Sequence, residues 1–412
     1  MMNKEEAIKY LLSKESRQYR RSFYDAFLKK VNFNFNKKAI HITGTNGKGS
    51  VATYLNNIFV ENGYKCGCFK SPQLIEINEM ILLNNEPVSD ETLQHYVNKY
   101  YEDFEKFQLT QFEMMTFIAL NFFIDNNVDI AIIEVGMGGL IDATNVFVPI
   151  LSIITSIGMD HVQYLGHNIE EIAKQKAGII KQNTPVLLGF TDFEAENVIK
   201  NECLQKSAEL YFAPKPTNIY ADEKGVRFLY NDKNIISLEK QHALYESYNV
   251  SIDLKALEIL KPMFPVDKEK TMMAIGNTYQ PARFSIVRKT PTVIIDGAHN
   301  PSAAKYLVKS IKLFTNKKVK LIFASFVDKN FKEQLNSYQD ISSSIFLTTF
   351  PNSRAMGKND FVNLAYPFFG KHDELIRSTI KSANADDVIL ITGSLAFAGL
   401  VYNEFVEGEY ND

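Results

Sequence analysis

Residues 38–50, with the sequence KAIHITGTNGKGS, decide how the chain is expected to fold. An apolar run leads into a glycine-rich loop with one lysine and a hydroxyl, which is typical of a β-strand, a phosphate-binding loop and a helix in succession. The glycines let successive backbone N–H groups converge on phosphate oxygens, and Lys48 adds a positive charge for the β- and γ-phosphates. The strict Walker A spacing is not met, because Ile42 stands where its first glycine belongs. The stretch predicts a nucleoside triphosphate site, with a simple glycine turn as the alternative.

The composition is that of a globular protein of two or three domains. Charged residues make up 23% of the 412 residues and the formal net charge is −3, so no basic surface for nucleic acid is expected. Three cysteines form neither a metal-ligand spacing nor a disulfide framework. Charges recur from Lys4 onward and no apolar run reaches membrane-spanning length, so we expect a cytoplasmic protein without a leader. One basic stretch is interpreted as the solvated face of an amphipathic helix: Arg17, Arg20, Arg21, Lys29 and Lys30.

Short apolar runs that end in glycine or polar loops alternate with helical patterns along most of the chain. In the first half they lie at residues 38–43, 64–69, 128–135, 150–155 and 185–189. This alternation is typical of a parallel sheet flanked by helices, in which ligands bind beyond the carboxyl ends of the strands. Further runs at 292–295, 318–325, 344–349 and 388–392 predict a second, smaller α/β domain.

The segments between these two regions predict the domain boundary. Short alternating stretches with polar turns at 210–238 predict a small antiparallel excursion, and residues 244–260 return to a helical pattern. Residues 274–284 have the composition of a linker. We therefore predict an N-terminal domain of residues 1–284 and a C-terminal domain of residues 285–412, which is of sensible size to fold as a unit.

Polar and glycine-containing motifs follow the predicted strands in both halves. They are SPQL at 71–74, NE at 78–79, EVGMGG at 134–139, DATN at 142–145, MDH at 159–161, LG at 165–166, IAKQKAGI at 172–179, PARF at 281–284, DGAHNP at 296–301, DKN at 328–330 and GS at 393–394. In this order, from about residue 38 to residue 396, they resemble the folylpolyglutamate synthase/dihydrofolate synthase family of the Mur ligases. The resemblance implies an α/β protein with a P-loop ATPase domain on a mostly parallel sheet and a smaller Rossmann-like ligase domain.

The resemblance also implies an ATP-dependent amide ligase that uses ATP and Mg²⁺. The carboxylate of a folate or of dihydropteroate attacks the γ-phosphate, which gives an acyl phosphate and ADP. The amine of L-glutamate then attacks the acyl carbon and phosphate leaves, so that the protein mainly supplies positioning and charge neutralisation. The implied partners are these small molecules, with neither nucleic acid nor membrane, and nothing in the sequence requires more than a monomer.

The nucleotide contacts that the resemblance implies lie on the loop and at three later positions. They are Asn46, Gly47, Lys48, Gly49, Ser50, Asn249, Arg283 and Asp296. Among the later three, Asn249 is expected at the base, Arg283 at the phosphates and Asp296 near the ribose. Arg283 lies in the predicted linker, so domain closure would bring its guanidinium onto the phosphates.

The implied magnesium ligands are Ser71, Glu134 and His161, and the implied catalytic set is Lys48, Glu134, His161 and Lys176. A carboxylate at the end of a buried strand suits a hard cation, although a structural helix-capping role is the alternative for Glu134. A satisfied structural histidine is the alternative for His161. The family counterpart of Lys176 is a carboxylated lysine, and an ordinary ion-paired lysine is the alternative.

The implied acceptor contacts are Gln73, Phe112, Glu113, Ile141, Asp142, Ala143 and His299. Around them the chain departs from the family pattern, and a Leu-Gly-Leu-x-Arg pattern is missing near the N-terminus. The departures are Gln73 for histidine, Met80 for arginine, Leu140 for arginine, Gln175 for glutamate, Tyr245 for histidine and Ala282 for glycine. Fewer arginines and histidines lower the affinity of a cleft for anionic groups. Two alternatives therefore stay open: a Mur-type ligase for another carboxylic acid, and a non-catalytic nucleotide-binding paralogue.

Overall fold

The computed structural model describes residues 1–222, 225–239, 242–362 and 364–410. The chain divides into two compact units. The first comprises Met1–Gly158, Val162–Pro214 and Asn249–Thr278, and the second comprises Met159–His161, Lys215–Tyr248 and Tyr279–Asp412. The domain boundary at residues 284 and 285 stays a prediction. Among the described helices, none is both long enough and apolar enough to span a bilayer.

The first unit is built on an eight-stranded sheet with the order β4-β3-β2-β5-β1-β6-β7-β8. Its strands are β1 Ala39–Thr43, β2 Cys66–Phe69, β3 Ile81–Leu83, β4 Glu86–Pro87, β5 Ile130–Glu134, β6 Leu151–Ser156, β7 Val186–Phe190 and β8 Leu210–Phe212. Six of them pair in parallel, and only β3 and β4 run antiparallel at one edge. Every residue of β1 and β5 is buried, as expected for central strands covered on both faces.

Helices connect these strands and cover the sheet. They are α1 Lys4–Leu12, α2 Arg21–Lys30, α3 Lys48–Glu61, α4 Asp90–Lys106, α5 Gln111–Asp125, α6 Val162–Leu165, α7 Ile169–Ala177, α8 Phe193–Gln205, α9 Tyr245–Leu260 and α10 Lys268–Asn277. Helix α9 crosses from the second unit to the first at Tyr248–Asn249. An aromatic cluster joins α2, α4 and α5, with the rings of Phe27 and Phe117 centred 4.7 Å apart. Edge-to-face contacts of this kind add to the free energy of apolar burial.

The second unit contains a three-stranded antiparallel sheet and a six-stranded sheet with the order β12-β13-β17-β14-β15-β16. The strands are β9 Thr217–Asp222, β10 Gly225–Tyr230, β11 Asn234–Glu239, β12 Ser285–Lys289, β13 Thr292–Ile295, β14 Val319–Phe323, β15 Ser342–Thr348, β16 Phe368–Phe369 and β17 Val388–Thr392. The helices are α11 Pro301–Phe314, α12 Phe331–Tyr338, α13 His372–Lys381 and α14 Leu395–Val406. Apart from β12, the larger sheet is parallel, which confirms the predicted α/β class.

Each predicted strand of both halves is found, but the segment at 210–238 was only partly interpreted correctly. Residues Leu210–Phe212 pair in parallel with β7 and complete the large sheet, and the antiparallel excursion begins at β9. Glu223 and Lys224, at the predicted turn of that excursion, lie outside the described residues. The predicted linker at 274–284 begins inside α10, which ends at Asn277.

A carboxylate on α4 holds the N-terminal segment of the first unit. Glu105 accepts hydrogen bonds from the Tyr10 hydroxyl at 2.7 Å and from the Arg17 guanidinium at 2.7 and 2.8 Å, and Lys14 lies 3.2 Å away. Partial burial alone would raise the pKa of Glu105, but these donors outweigh it and hold that pKa below its ordinary value. The interaction therefore stabilises the fold above the unfolded-state pKa of about 4.3, and this contribution is lost as the pH falls through the lower folded-state value.

We predict that Glu105→Gln lowers the free energy of unfolding by about 1 kcal/mol at pH 7, because the donors lose their charged acceptor in a partly exposed setting. The deficit relative to the unmodified chain should close once the pH falls below the lowered folded-state pKa of Glu105, since both proteins then carry a neutral group. Denaturant melts at the two pH values test this. Glu102→Gln, on the exposed face of the same helix, is the matched control. A deficit that persists unchanged at low pH would contradict the assignment.

Candidate functional site

The loop between β1 and α3 is fastened to the end of β6. The Thr45 N–H donates to the Ser156 carbonyl at 2.8 Å, and the Asn46 carbonyl accepts from the Thr155 hydroxyl at 2.6 Å and from the Ser156 hydroxyl at 3.0 Å. The Thr45 hydroxyl is paired with Gly158 at 3.0 Å. Since the carboxyl ends of β1 and β6 lie side by side, the loop leaves the sheet where ligands bind in folds of this type.

Two glycines of this loop have no space for a side chain. A Cβ on Gly44 would lie 1.9 Å from the Thr155 hydroxyl oxygen, and a Cβ on Gly47 would lie 2.4 Å from Oδ1 of Asn249. Gly47 also has a φ of +88°, a conformation that only glycine adopts without cost. Asn249 is thus in contact with the phosphate loop itself, and its predicted place at the base stays a prediction.

Lys48 opens helix α3 and points back over the loop. Its Nζ donates to the Gly44 carbonyl at 2.9 Å. The first turn of α3 exposes backbone N–H groups and the positive end of the helix dipole at the same place. A lysine and a helix N-terminus that converge on one loop can bind the phosphates of a nucleotide.

Glu134 and Ser71 meet beside this first turn. Glu134 ends β5, is only 3% exposed, and accepts a hydrogen bond from the Ser71 N–H at 3.1 Å through Oε2. The same carboxylate lies 3.5 Å from the position that a Cβ on Gly49 would take. A carboxylate and a hydroxyl next to a phosphate loop fit Mg²⁺, which binds few protein oxygens and otherwise keeps waters and substrate phosphates. In the described part of the chain, no cluster of three or more His, Cys, Asp and Glu side chains is placed to hold a metal.

His161, the third predicted metal ligand, belongs to the second unit and lies in a cluster around Asp160. Asp160 accepts from the Lys329 ammonium at 2.6 Å, from the Asn300 amide at 3.2 Å and from the His161 N–H at 2.8 Å. The His299 Nε2 lies 3.6 Å from the same carboxylate. Burial alone would raise the pKa of Asp160, but the nearby His299 imidazole and the charge of Lys329 hold that pKa well below its ordinary value.

Lys176 lies on α7 with its side chain buried, at 3% exposure. The backbone of the same helix turn supports the glycine loop after β5: the Gln175 carbonyl accepts from the Leu140 N–H at 2.7 Å. A Cβ on Gly139 would lie 2.9 Å from that carbonyl oxygen. The departure at Gln175 therefore leaves this backbone contact in place, and the carboxylation of Lys176 stays a prediction.

Asp142 organises the loop that carries most predicted acceptor contacts. It is buried and accepts from the Met137 N–H at 2.9 Å and from Thr144 at 2.9 Å (N–H) and 2.6 Å (hydroxyl). Burial raises the pKa of Asp142 against these donors. Ala143 is buried beside it, whereas the Ile141 side chain is exposed.

The other predicted acceptor residues of the first unit lie on α5 and after β2. Phe112 packs under the same loop, since a Cβ on Gly136 would lie 2.5 Å from its ring. Glu113 caps α5 by accepting from the Thr110 N–H at 2.7 Å, and burial raises the pKa of Glu113. Gln73 is half-buried. The structure thus brings Phe112 to the loop at residues 136–145, while Glu113 has a structural contact of its own.

Some contacts were missed from the sequence. The solvated face predicted for the N-terminal arginines is wrong for Arg17, which donates to Glu105, and for Arg21. The Arg21 guanidinium donates to the Asp142 carbonyl at 2.8 Å and to the Asn145 carbonyl at 3.3 Å. The Tyr19 hydroxyl donates to the Ile141 carbonyl. These contacts join residues 121 and 122 positions apart in the chain, which no local sequence pattern reports. Asp160 and Lys329 lie in the MDH and DKN motifs, to which the sequence assigns no predicted role. These two motifs are the sequence features that point to the ion pair.

In the second unit, the residues on either side of Arg283 are hydrogen-bonded to the segment that carries Asp296. Asp296 is 1% exposed and accepts from the Phe284 N–H at 2.9 Å, the Ala298 N–H at 2.9 Å and the Tyr245 hydroxyl at 2.5 Å. Burial raises the pKa of Asp296. Its predicted contact with the ribose stays a prediction.

Comparison with known proteins gives consistent matches. Residues 42–251 match the Mur ligase middle domain, and residues 282–395 match the Mur ligase glutamate ligase domain. The chain is 31% identical over 380 residues to dihydrofolate synthase/folylpolyglutamate synthase of Bacillus subtilis, covering 87% of this chain and 88% of that protein. It is 28% identical over 393 residues to folylpolyglutamate synthase of Lacticaseibacillus casei, covering 90% of each. A solved FPGS-AMPPCP-folate complex superimposes with a TM-score of 0.86 at 27% identity, covering 99% of this chain and 100% of that one.

We predict that Gly47→Ala weakens the affinity for a non-hydrolysable ATP analogue with Mg²⁺ by at least about tenfold, because the new Cβ must displace Asn249 and the loop. Gly63 provides a matched control, since it has the same φ of +88° but no atom within 4 Å of an added Cβ. Gly63→Ala should cost roughly 1–2 kcal/mol of stability from backbone strain and leave the affinity unchanged. Calorimetric titration of the three proteins tests this. Equal affinities for the Gly47→Ala variant and the parent would contradict the placement of the site.

Proposed function

We propose, from the premise that this chain belongs to the folylpolyglutamate synthase/dihydrofolate synthase family of the Mur ligases, that it joins L-glutamate to the carboxylate of a folate or of dihydropteroate. The chain is an ATP-dependent ligase, as its relatives and their ATP-analogue and folate complexes support. The observation that carries the proposal is the phosphate loop with Lys48 at its end and Glu134 and Ser71 beside it. A cytoplasmic location and a monomeric state remain predictions.

The proposed reaction uses these residues to bring two anions together. The loop N–H groups and Lys48 bind the β- and γ-phosphates, and Arg283 is the further residue predicted to contact them. Glu134 and Ser71, with His161 as the further predicted ligand, would hold Mg²⁺, which when bound would supply positive charge that neutralises the phosphates. An acceptor carboxylate oxygen attacks the γ-phosphorus while the bond to the ADP oxygen breaks. The glutamate nitrogen then attacks the acyl carbon, the bond to the phosphate oxygen breaks, and the amine gives up a proton to solvent.

We expect ADP release that depends on an acceptor and L-glutamate together, and we predict that Lys48→Ala and Glu134→Gln each reduce it about a hundred- to a thousandfold. The reason is that Lys48→Ala removes the positive charge at the phosphates and Glu134→Gln removes the carboxylate that would hold Mg²⁺, while both changes leave the fold intact. A coupled assay with 7,8-dihydropteroate and, separately, tetrahydrofolate measures this. Lys200→Ala, which removes an ion pair with Glu196 on α8, is the control. Rates like those of the parent in either site variant would refute the assignment, and no ADP release with either acceptor would refute the acceptor class.

The acceptor preference is proposed from the position of Leu140. This side chain is 51% exposed on the loop that Asp142 organises, at a position where the family pattern has an arginine. Its backbone is anchored independently, because its N–H donates to the Gln175 carbonyl at 2.7 Å and its carbonyl accepts from the Asn145 amide at 3.1 Å. A site without this cation favours an acceptor with fewer carboxylates, so we propose dihydropteroate over glutamylated folates.

We predict that Leu140→Arg raises kcat/KM for tetrahydrofolate relative to dihydropteroate by about tenfold or more, because a charge-assisted hydrogen bond to the additional carboxylate becomes available. The fold should not change, since the side chain is exposed and the backbone contacts stay. Leu204→Arg, at an exposed position on α8, controls for the added charge. The ratio of the two specificity constants is the measured quantity. An unchanged ratio would show that residue 140 does not contribute to acceptor specificity.

A further inference from the structure

Tyr245 stands at a position where the family pattern has a histidine. Its hydroxyl makes a hydrogen bond within the second unit. It donates to Oδ2 of Asp296 at 2.5 Å. Burial raises the pKa of Tyr245, so the hydroxyl keeps its proton and remains a donor through the physiological pH range. A carboxylate that is only 1% exposed requires such donors, because an unsatisfied buried charge is costly.

Asp296 in turn fixes the backbone on one side of Arg283. The same oxygen that receives the tyrosine proton also accepts from the Phe284 N–H at 2.9 Å. Its other oxygen accepts from the Ala298 N–H at 2.9 Å. The backbone on the other side of Arg283 is tied to the same loop, since the Gly297 N–H donates to the Ala282 carbonyl at 2.8 Å. Two loops that the sequence presents as separate motifs are thus one hydrogen-bonded structure.

The backbone around Arg283 does not favour this shape by itself. Ala282 has a φ of +56° and Phe284 a φ of +49°, both in the left-handed region that L-residues avoid. Both side chains are buried, and the Phe284 ring packs at 5.7 Å from that of Phe314. Two left-handed residues on either side of one arginine persist only when surrounding contacts impose them. Those contacts are the hydrogen bond that Asp296 accepts from the Phe284 N–H and the one that the Gly297 N–H donates to the Ala282 carbonyl.

We propose that Tyr245 is a positioning residue for Arg283, which it acts on through Asp296 and the turn at residues 282–284. This inference rests on the proposed function, in which Arg283 contacts the phosphates of ATP. Without the hydroxyl, Oδ2 of Asp296 keeps the Phe284 N–H alone, and the turn gains access to other backbone conformations. The guanidinium then occupies its working position for a smaller fraction of the time, which lowers turnover more than substrate binding.

A double-mutant cycle tests this with Tyr245→Phe, Arg283→Ala and the two combined. We expect Tyr245→Phe to lower kcat for ADP release about tenfold, with the KM for the acceptor unchanged. In the Arg283→Ala background the same change should cost less than about twofold, because its target is gone. Additive losses, or a Tyr245→Phe variant as active as the parent, would overturn the proposal. Tyr402→Phe removes a hydroxyl that is 3.2 Å from that of Tyr279, elsewhere in the second unit, and is the matched control.

Two further comparisons distinguish a failure of the inference on Tyr245 from a failure of the proposed function. If Arg283→Ala is fully active while the parent ligates glutamate, the inference is overturned and the proposed function stands; if the parent does not ligate, the proposed function fails first. Tyr245→His restores a side-chain donor and should retain kcat within about threefold of the parent, whether or not Tyr245→Phe folds. A loss in Tyr245→His as large as that in Arg283→Ala would also overturn the proposal. Thermal melts of each variant verify the fold.

Discussion

The first unit depends on the absence of side chains where β1 turns into α3. At Gly44 and Gly47 the backbone approaches Thr155 and Asn249 so closely that even one added carbon would collide with them. This approach lets the hydroxyls at the end of β6 donate hydrogen bonds to the loop and brings Asn249 into contact with it. Lys48 and the start of α3 are then directed to a single place beyond the carboxyl end of β1. In a parallel sheet, ligand-binding loops lie at the carboxyl ends of the strands. The contacts of this loop with β6 and α9 determine where the Lys48 ammonium lies within that region.

Close contacts also hold the loops that follow other strands, where buried carboxylates accept hydrogen bonds from backbone N–H groups. Glu134 receives the Ser71 N–H, and Asp142 receives backbone N–H groups of its own loop. Asp296 does the same for the turn that carries Arg283, with a tyrosine hydroxyl as an additional donor. Each carboxylate loses hydration on folding, and the donors compensate because hydrogen bonds to a charged acceptor are stronger than neutral ones. The loops are consequently held by directional contacts as well as by apolar packing.

The sequence predicts the strands well and the partners of single polar atoms poorly, for one physical reason. Apolar runs such as 128–135 and 388–392 report burial on both faces of a sheet, which is a property of a segment and leaves a pattern in it. The parallel pairing of Leu210–Phe212 leaves no such pattern, because three residues at a sheet edge resemble the start of a hairpin. The contact of Arg21 with the Asp142 loop joins positions far apart in the chain, and no local periodicity reports it. Motifs located the site residues, whereas what each one touches required the fold.

The departures from the family pattern are of unequal weight once their surroundings are known. Met80 is 3% exposed and packs in the core of the first unit, so its chemistry is that of an apolar core residue. Ala282 adopts a left-handed conformation that a glycine would adopt without strain, and its neighbours impose it. Tyr245 keeps a donor at Asp296, and Gln175 supports the Asp142 loop through its backbone carbonyl. Leu140 alone among these five exposes an apolar side chain on an acceptor loop. The one departure that changes the chemistry of an exposed acceptor loop is therefore Leu140, and the proposed acceptor preference depends on it, while the predicted phosphate-binding residues are present.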